Sequence, residues 1–319
     1  VTGGSQRGVA LLVAIVIFAI ATTVAAAVTY SKAMSARRAA ANFTLEAALQ
    51  AGMAAEALAS VALEDAASGN QITKVQDWAQ EQPPLEIPDT GIWIQAKVED
   101  LSGRFNLNSL VKWDQTQNDF IEDTHQLDVF RDLLGRLDID ARYADLLLDW
   151  IDPNIAPYQS GGGEDTLYLS QTPPYRPPNT FIRHTSELLA LPEFGRENYQ
   201  KIAPFVTALP YDEKVNTCTA RGVVLDAVLN QHTTQFSDET VLEQNRKNGC
   251  FPEPRAFTIV IPDPAQKQLV DGHVDEKSNW FRLRTQVRIG TADFVLYSVL
   301  YLEPQQNKVR VVQRSFGSE

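Results

Sequence analysis

The 319-residue chain has only four histidines, two cysteines and two methionines. Zinc and haem sites draw mainly on His and Cys, so this inventory leaves little room for either. HExxH, CxxC, GxSxG, P-loop and GxGxxG patterns are all missing, and with them the usual catalytic and nucleotide-binding signatures. Basic residues are also in deficit: 28 Lys and Arg against 40 Asp and Glu give a net charge of −12. A surface that coats nucleic acid needs clustered cations, so no such partner is expected. Paired carboxylates occur, but they are too common by themselves to nominate an acid/base enzyme, and no enzyme is read here.

One absence is local. From Gly8 to Ser31, "GVALLVAIVIFAIATTVAAAVTYS" holds no charged residue and lies between Arg7 and Lys32. At about 1.5 Å per helical residue it spans a hydrocarbon core of about 30 Å. A cleaved secretory signal is usually shorter in its apolar region, and a soluble core helix is rarely so uniformly apolar. A membrane span is therefore expected over residues 9–31. Its orientation is contested. Lys32, Arg37 and Arg38 after the span favour a cytoplasmic C-terminus by the positive-inside rule. Cys218 and Cys250, an even pair in an otherwise cysteine-free chain, favour an oxidising compartment, two buried thiols being the alternative.

Beyond the span the chain stays alanine-rich and proline-free to Gly69-Asn70, so helix is expected to continue to about residue 67. Leu45, Leu49 and Met53 recur every fourth residue, and Leu58 and Val61 extend a neighbouring stripe. A helix this long cannot bury itself, which implies partner helices. "EQPPLEIPDTG" reads as a linker and "IWIQAKV" as a first strand. "WFRLRTQVRIG" alternates wet and dry residues, "ADFVLYSVLYLE" reads as a central strand, and "KVRVVQRSF" as a third, paired across "PQQNK". Helical spacing dominates between, in "QLDVFRDLLGRLDID", "ARYADLLLDWID" and "TSELLALPEFGRENYQKIAPFVTALP", with Asp138 or Asp140 as an N-cap. The fold class is α+β: a long N-terminal helix and small antiparallel sheet carrying a large inserted all-α domain.

Residues 149–169, "DWIDPNIAPYQSGGGEDTLYL", collect oxygen ligands around three glycines. Between Asp138 and Asp165 there are seven acids and one arginine. Asp145, Asp149 and Asp152 share one helix face. A solvated acidic loop and a bound cation both fit; calcium suits an all-oxygen set, zinc does not.

Several landmarks together resemble the K-type minor pseudopilins of bacterial type II secretion systems. "QRGVALLVAI" is similar to a type IV prepilin processing site. "VEDLSGRFNLNSL", "LLDWIDPN", "GGGEDTLYL", "SELLALPEF", "YQKIAPFVTALP" and "KVNTCTA" follow in the family's order. The resemblance runs from about residue 6 to 220 and reaches the C-terminal strands by pattern only. It departs at Cys218 and over 221–275. It implies a leader (1–8) removed between Gly8 and Val9 by a prepilin peptidase, with methylation of the new N-terminus. It further implies a single pass through the bacterial inner membrane (9–31), and a pilin-like helix and first strand (32–106). An inserted α-helical domain with a calcium loop (107–210) and the rest of the pilin-like domain (211–319) complete the division.

The resemblance places the bulk of the chain in the periplasm, where Cys218 and Cys250 can oxidise to a disulfide. The calcium ligands it implies are Asp149, Asp152, Asn154, Glu164 and Asp165. Its partners would be the I- and J-type minor pseudopilins, with the major pseudopilin below. Pilin-like subunits commonly carry glutamate at the fifth mature position, but here that position is Val13. A subunit with no neighbour above it gains by omitting a carboxylate from hydrocarbon, so a place at the filament tip, capping or initiating assembly for export of folded proteins, is expected. A second reading comes from "LALPEFGRENYQKI", which resembles a helix-hairpin-helix and would suit a membrane-anchored DNA-uptake protein. Glu193 stands in it where a phosphate-gripping hairpin favours glycine.

Overall fold

The computed structural model describes residues 7–159, 161–230, 235–252 and 256–317. Most of the expected leader, residues 1–6, lies outside the described residues. Helix α1 runs unbroken from Arg7 to Ala66, about 90 Å at 1.5 Å per residue. It carries Gly8 and Val9 in its first turn. The window following Val9 is long and apolar enough to cross a membrane, and none of it is buried within the chain. The helix meets the rest of the protein only from Ala48 onward. There Ala48, Ala51, Ala55, Ala59, Leu63 and Ala66 form a buried stripe at three- and four-residue spacing. Small side chains let the helix lie close to the sheet. Gly52 takes this furthest: a Cβ there would come within 2.6 Å of Leu296.

The sheet has five antiparallel strands in the order β1 (Leu85–Ile87), β2 (Ile92–Asp100), β9 (Trp280–Ile289), β10 (Ala292–Glu303) and β11 (Lys308–Phe316). Strand β1 (Leu85–Ile87) lies in the stretch read as a linker, and β2 (Ile92–Asp100) follows it. Prolines at 83, 84 and 88 confine β1 to the edge, where an unpaired N–H side is tolerated. The chain then makes an excursion of about 180 residues before returning in β9 (Trp280–Ile289) beside β2.

Within the excursion come β3 (Phe105–Asn106), the hairpin β4 (Val111–Asp114) and β5 (Asp119–Glu122), and helices α2 (Thr124–Arg136) and α3 (Arg142–Ile151). Next are α4 (Asp165–Leu169), a 3-10 turn at Thr185–Ala190 and α5 (Gly195–Ile202). Strands β6 (Val206–Thr207) and β7 (Val215–Asn216) are followed by α6 (Gly222–Val228), α7 (Glu239–Asn245), α8 (Pro264–His273) and β8 (Val274–Asp275). Strands β10 (Ala292–Glu303) and β11 (Lys308–Phe316) close the sheet. The mixed α and β architecture is as read from sequence. The insert is helical apart from the short pairs β3–β6, β4–β5 and β7–β8. Asp123 caps α2 by accepting from His125 and Gln126 N–H, and Asp140 accepts from Arg142 N–H at the start of α3.

Packing does not break at the expected 210/211 boundary. Val224, Leu225, Val228, Phe236, Phe251 and Val270 share one core with Phe105, Phe130, Leu147 and Tyr168. The stretch 221–275, which sequence left without a fold, thus completes the core of the insert rather than that of the sheet. The sheet has its own core, where Leu63 and Trp78 meet Phe281, Leu283, Leu300 and Leu302.

A polar neck links the two bodies. Buried Asp100, the last residue of β2, accepts from Ser102 N–H (2.8 Å), Ser278 Oγ (2.6 Å), Asn216 Nδ2 (3.2 Å) and the Thr219 hydroxyl (2.5 Å). Asn216 Nδ2 also donates to Ile72 O at 3.0 Å, tying in the end of the α1 connection. The Cys218–Cys250 disulfide lies beside this network. Arg246 lies there too, donating to the carbonyls of Thr217 and Ala220.

Candidate functional site: a carboxylate loop on the insert

Helix α3 ends at Ile151 and delivers Asp149 and Asp152 to the start of the glycine loop, both buried. Asp149 folds the loop. Its carboxylate accepts from Tyr158 N–H at 2.9 Å and Gly163 N–H at 2.6 Å. The triple glycine is explained by this approach. A Cβ on Gly161 would meet Asp145 Oδ2 at 2.2 Å, and one on Gly162 would meet Asp149 Oδ2 at 2.1 Å. The returning chain then brings in Glu164, buried, immediately before α4.

Asp149, Asp152 and Glu164 converge. Burial raises all three carboxyls, Asp149 to about 6, Asp152 to about 7 and Glu164 to about 6. Asp149 and Glu164 push Asp152 further, and Asp149 does the same to Glu164. Two oxygens here are buried without a partner among the described residues: Asp152 Oδ1 and Glu164 Oε1. The Tyr168 hydroxyl is a third such atom, on a ring packed between Trp150 and Tyr175. Buried polar atoms are nearly always satisfied, so orphaned carboxylate oxygens point to something that binds them.

The remaining predicted ligands are placed differently. Asn154 is exposed. Its Nδ2 donates to Asp152 Oδ2 at 2.7 Å and its Oδ1 accepts from Ala156 N–H, while its backbone carbonyl accepts from Asn179 Nδ2 at 2.6 Å. Asp165 is half-exposed and sits 3.6 Å from Arg176 Nε. Asp145, on the same helix face as Asp149, is neutralised by Arg131 at 2.6 Å. Among the described residues no three His, Cys, Asp or Glu side chains form a ready-made metal cluster. The donor set nonetheless suits a hard cation: all oxygen, two oxygens orphaned, backbone carbonyls within the same loop. Asn179 and Tyr168 were missed from sequence. The turn "PPNTF", in which Asn179 adopts φ 45°, was the available signal for the first.

The second motif folds as a hairpin, with Glu193 at φ 63° and Gly195 at φ 71° in its turn. Glu193 holds Arg142 Nη2 at 2.6 Å. A carboxylate at the turn, already paired with Arg142, is the wrong charge for phosphate.

A membrane-length helix laid across an antiparallel sheet is the build of type IV pilin-like subunits, and comparisons with known proteins narrow the class. The family described as type II secretion system (T2SS), protein K, matches residues 103–211. The chain is 31% identical over 323 residues to the type II secretion system protein K of Pectobacterium carotovorum subsp. carotovorum, spanning 98% of this chain and 97% of that one. It is 30% identical to the corresponding protein of Pseudomonas aeruginosa, spanning 98% and 93%. A chain from the crystal structure of the GspK-GspI-GspJ complex of the enterotoxigenic Escherichia coli Type 2 Secretion System matches at TM-score 0.75 and 22% identity, covering 88% of this chain and 100% of that chain. That likeness carries the fold. The chain belongs to the type II secretion system protein K family.

Proposed function

We propose that this chain is a non-enzymatic minor pseudopilin at the tip of a type II secretion pseudopilus, where it initiates or caps assembly. The observation that carries the proposal is the two-sided helix α1. From residue 48 its alanine stripe is closed against the sheet, yet Phe43 is 77% exposed, Leu58 67% and Val61 66%. An apolar stripe left open beside a closed one suits packing against other long helices. I- and J-type minor pseudopilins are the natural occupants, since a structural relative is crystallised with GspI and GspJ. The major pseudopilin would lie below. The large insert at the far end of the sheet would obstruct a subunit stacking above.

In this reading Val9 is the mature N-terminus, exposed by a prepilin peptidase cutting after Gly8, and α1 anchors the protein once through the inner membrane. The bulk of the chain occupies the periplasm. Calcium orders the carboxylate loop. Asp152 and Glu164 would hold it, Asp149 would shape the loop around it, and Asn154 and Asp165 would stand at its rim. The ion supplies charge neutralisation and oxygen coordination, not catalysis.

Immunogold labelling of pseudopili tests the position. Label confined to one end, and co-purification of the detergent-solubilised chain with I- and J-type subunits, are expected. Uniform label along the shaft would refute the cap. Replacing Met53, Leu58 and Val61 with glutamine should abolish co-purification while leaving the sheet folded.

A further inference from the structure

The sheet's second face, turned away from α1, lies outside the helix contacts proposed above. Residues alternate along each strand, so the burial of Phe281, Leu283 and Val287 under α1 sends Arg282, Arg284 and Arg288 to the opposite side. Lys97 and Arg310 join them from β2 and β11. Five cations thus share one face of a chain whose net charge is −12.

Three of the five are neutralised within the face. Arg282 pairs with Glu99 at 2.7 Å, Arg288 with Asp293 at 2.9 Å and Arg310 with Glu303 at 3.4 Å. Lys97 and Arg284 are not. They stand directly opposite each other in the β2–β9 register, and neither has an ion pair or side-chain hydrogen bond among the described residues. Like charges directly opposite on a sheet destabilise it. This pair therefore stands against stability, at the middle of the face.

The pair lies between two hollows. One, of about 350 Å³, is lined by Pro84, Trp93, Gln95, Gln286 and Arg288. The other, of about 500 Å³, opens between sheet and insert, with Trp280, Tyr297, Phe181, Tyr211 and His184 among its walls. The side-chain amides of Gln95 and Gln286, cross-strand neighbours one step from the cations, are likewise without partners among the described residues.

We infer that this face binds an extended, carboxylate-bearing polypeptide segment of a partner protein. Its acidic side chains would meet Lys97 and Arg284, its backbone the glutamine amides, and its aromatic or aliphatic side chains the hollows. From Arg282 to Arg288 the face measures about 20 Å along β9 at ~3.4 Å per residue, which an extended segment of about six residues covers. Two other anions fit less well. On the membrane reading, Ala48 lies about 25 Å along the helix beyond Ser31, some three Debye lengths from the headgroups. Nucleic acid draws on many unpaired cations, and on this face only Lys97 and Arg284 are free among the described residues.

The test uses the full chain in neutral detergent and a labelled synthetic peptide of roughly ten residues that alternates glutamate with tyrosine, matching the strand repeat. The peptide should bind, more weakly as salt rises, and its lysine-for-glutamate counterpart should not. Changing Lys97→Gln and Arg284→Gln together should weaken binding at least about tenfold, the scale of two lost charge-assisted contacts. Arg310→Gln removes a cation already paired, and should change affinity by less than about twofold. The melting temperature of the double variant should hold or rise, because repulsion is relieved. No binding by the acidic peptide, equal losses in the two variants, a fall in melting temperature, or equal affinity for a single-stranded oligonucleotide of the same charge would overturn the inference.

Discussion

Buried carboxylates occur at the neck and in the glycine loop, and the two places treat them differently. Asp100 at the neck is surrounded by four donors from three separate segments, and every one reaches it. Asp152 and Glu164 in the loop are as deeply buried, yet each keeps an oxygen with no partner among the described residues. Burial drives both kinds upward, to about 6 for Asp100 and about 7 for Asp152. The difference lies in where satisfaction comes from. The neck is satisfied by protein donors, whereas two loop oxygens are left without one among the described residues, which is what the calcium proposal would fill.

The sharpest way to break the comparison is at the neck. Asp100→Ala orphans several buried donors at once and should lower unfolding free energy by about 3–5 kcal/mol, measured by urea denaturation. Loss of less than about 1 kcal/mol would mean that the neck is not a closed network. Next is the disulfide. Replacing Cys218 and Cys250 with serine releases a constraint across a separation of 32 residues and should cost about 3–4 kcal/mol on the chain-entropy account.

In the loop the effect runs through the ion. Calcium at a hundredfold over its Kd should stabilise the chelator-treated protein by about 2.7 kcal/mol, and Glu164→Gln should remove most of that gain. Calorimetry showing no heat with calcium would remove the ion from the reading. Smaller, and opposite in sign to the first test, Asp152→Asn in chelator should raise stability by about 1 kcal/mol, because one of three crowded carboxylates no longer ionises.

The neck also has a pH signature. Asp100 holds its proton more tightly when folded, at about 6 against 3.8 unfolded. The folded state therefore binds the extra proton between those values, and the stability contribution declines as pH rises from about 4 through about 6. Asp100→Asn should flatten that part of the profile.

The parts that sequence made legible are those written in local periodicity. Alanine without proline from residue 32 onward foretold α1 to within a residue or so of Ala66. Alternation in "WFRLRTQVRIG" separated the two faces of β9 correctly, although Thr285 rather than an apolar side chain completes the buried set. What stayed hidden depends on distant segments. The hairpin at 111–122 lies in polar "KWDQTQNDF", whose strand character comes from pairing Trp113 with Phe120. Strand β1 was masked by its prolines. Asp100 lies within the landmark "VEDLSGRFNLNSL", yet its role comes from residues 116 to 178 positions away.

The carboxylate loop was half legible. The clustering of acids was visible, but which oxygens are already used was not. Asp149 is taken by two backbone N–H groups, Asp145 by Arg131, and Asp165 stands beside Arg176. Only folding leaves Asp152 and Glu164 as the pair with something to offer.

The neck finally sets how load travels through the molecule. The whole excursion departs and returns on adjacent strands, so by connectivity alone it is a weight hung from a hinge. The donors around Asp100 and the disulfide beside them tie that hinge to three segments of chain, and the bond from Asn216 to Ile72 carries the brace down to the shaft. A push along α1 would then reach the top of the molecule as translation rather than being lost as tilt.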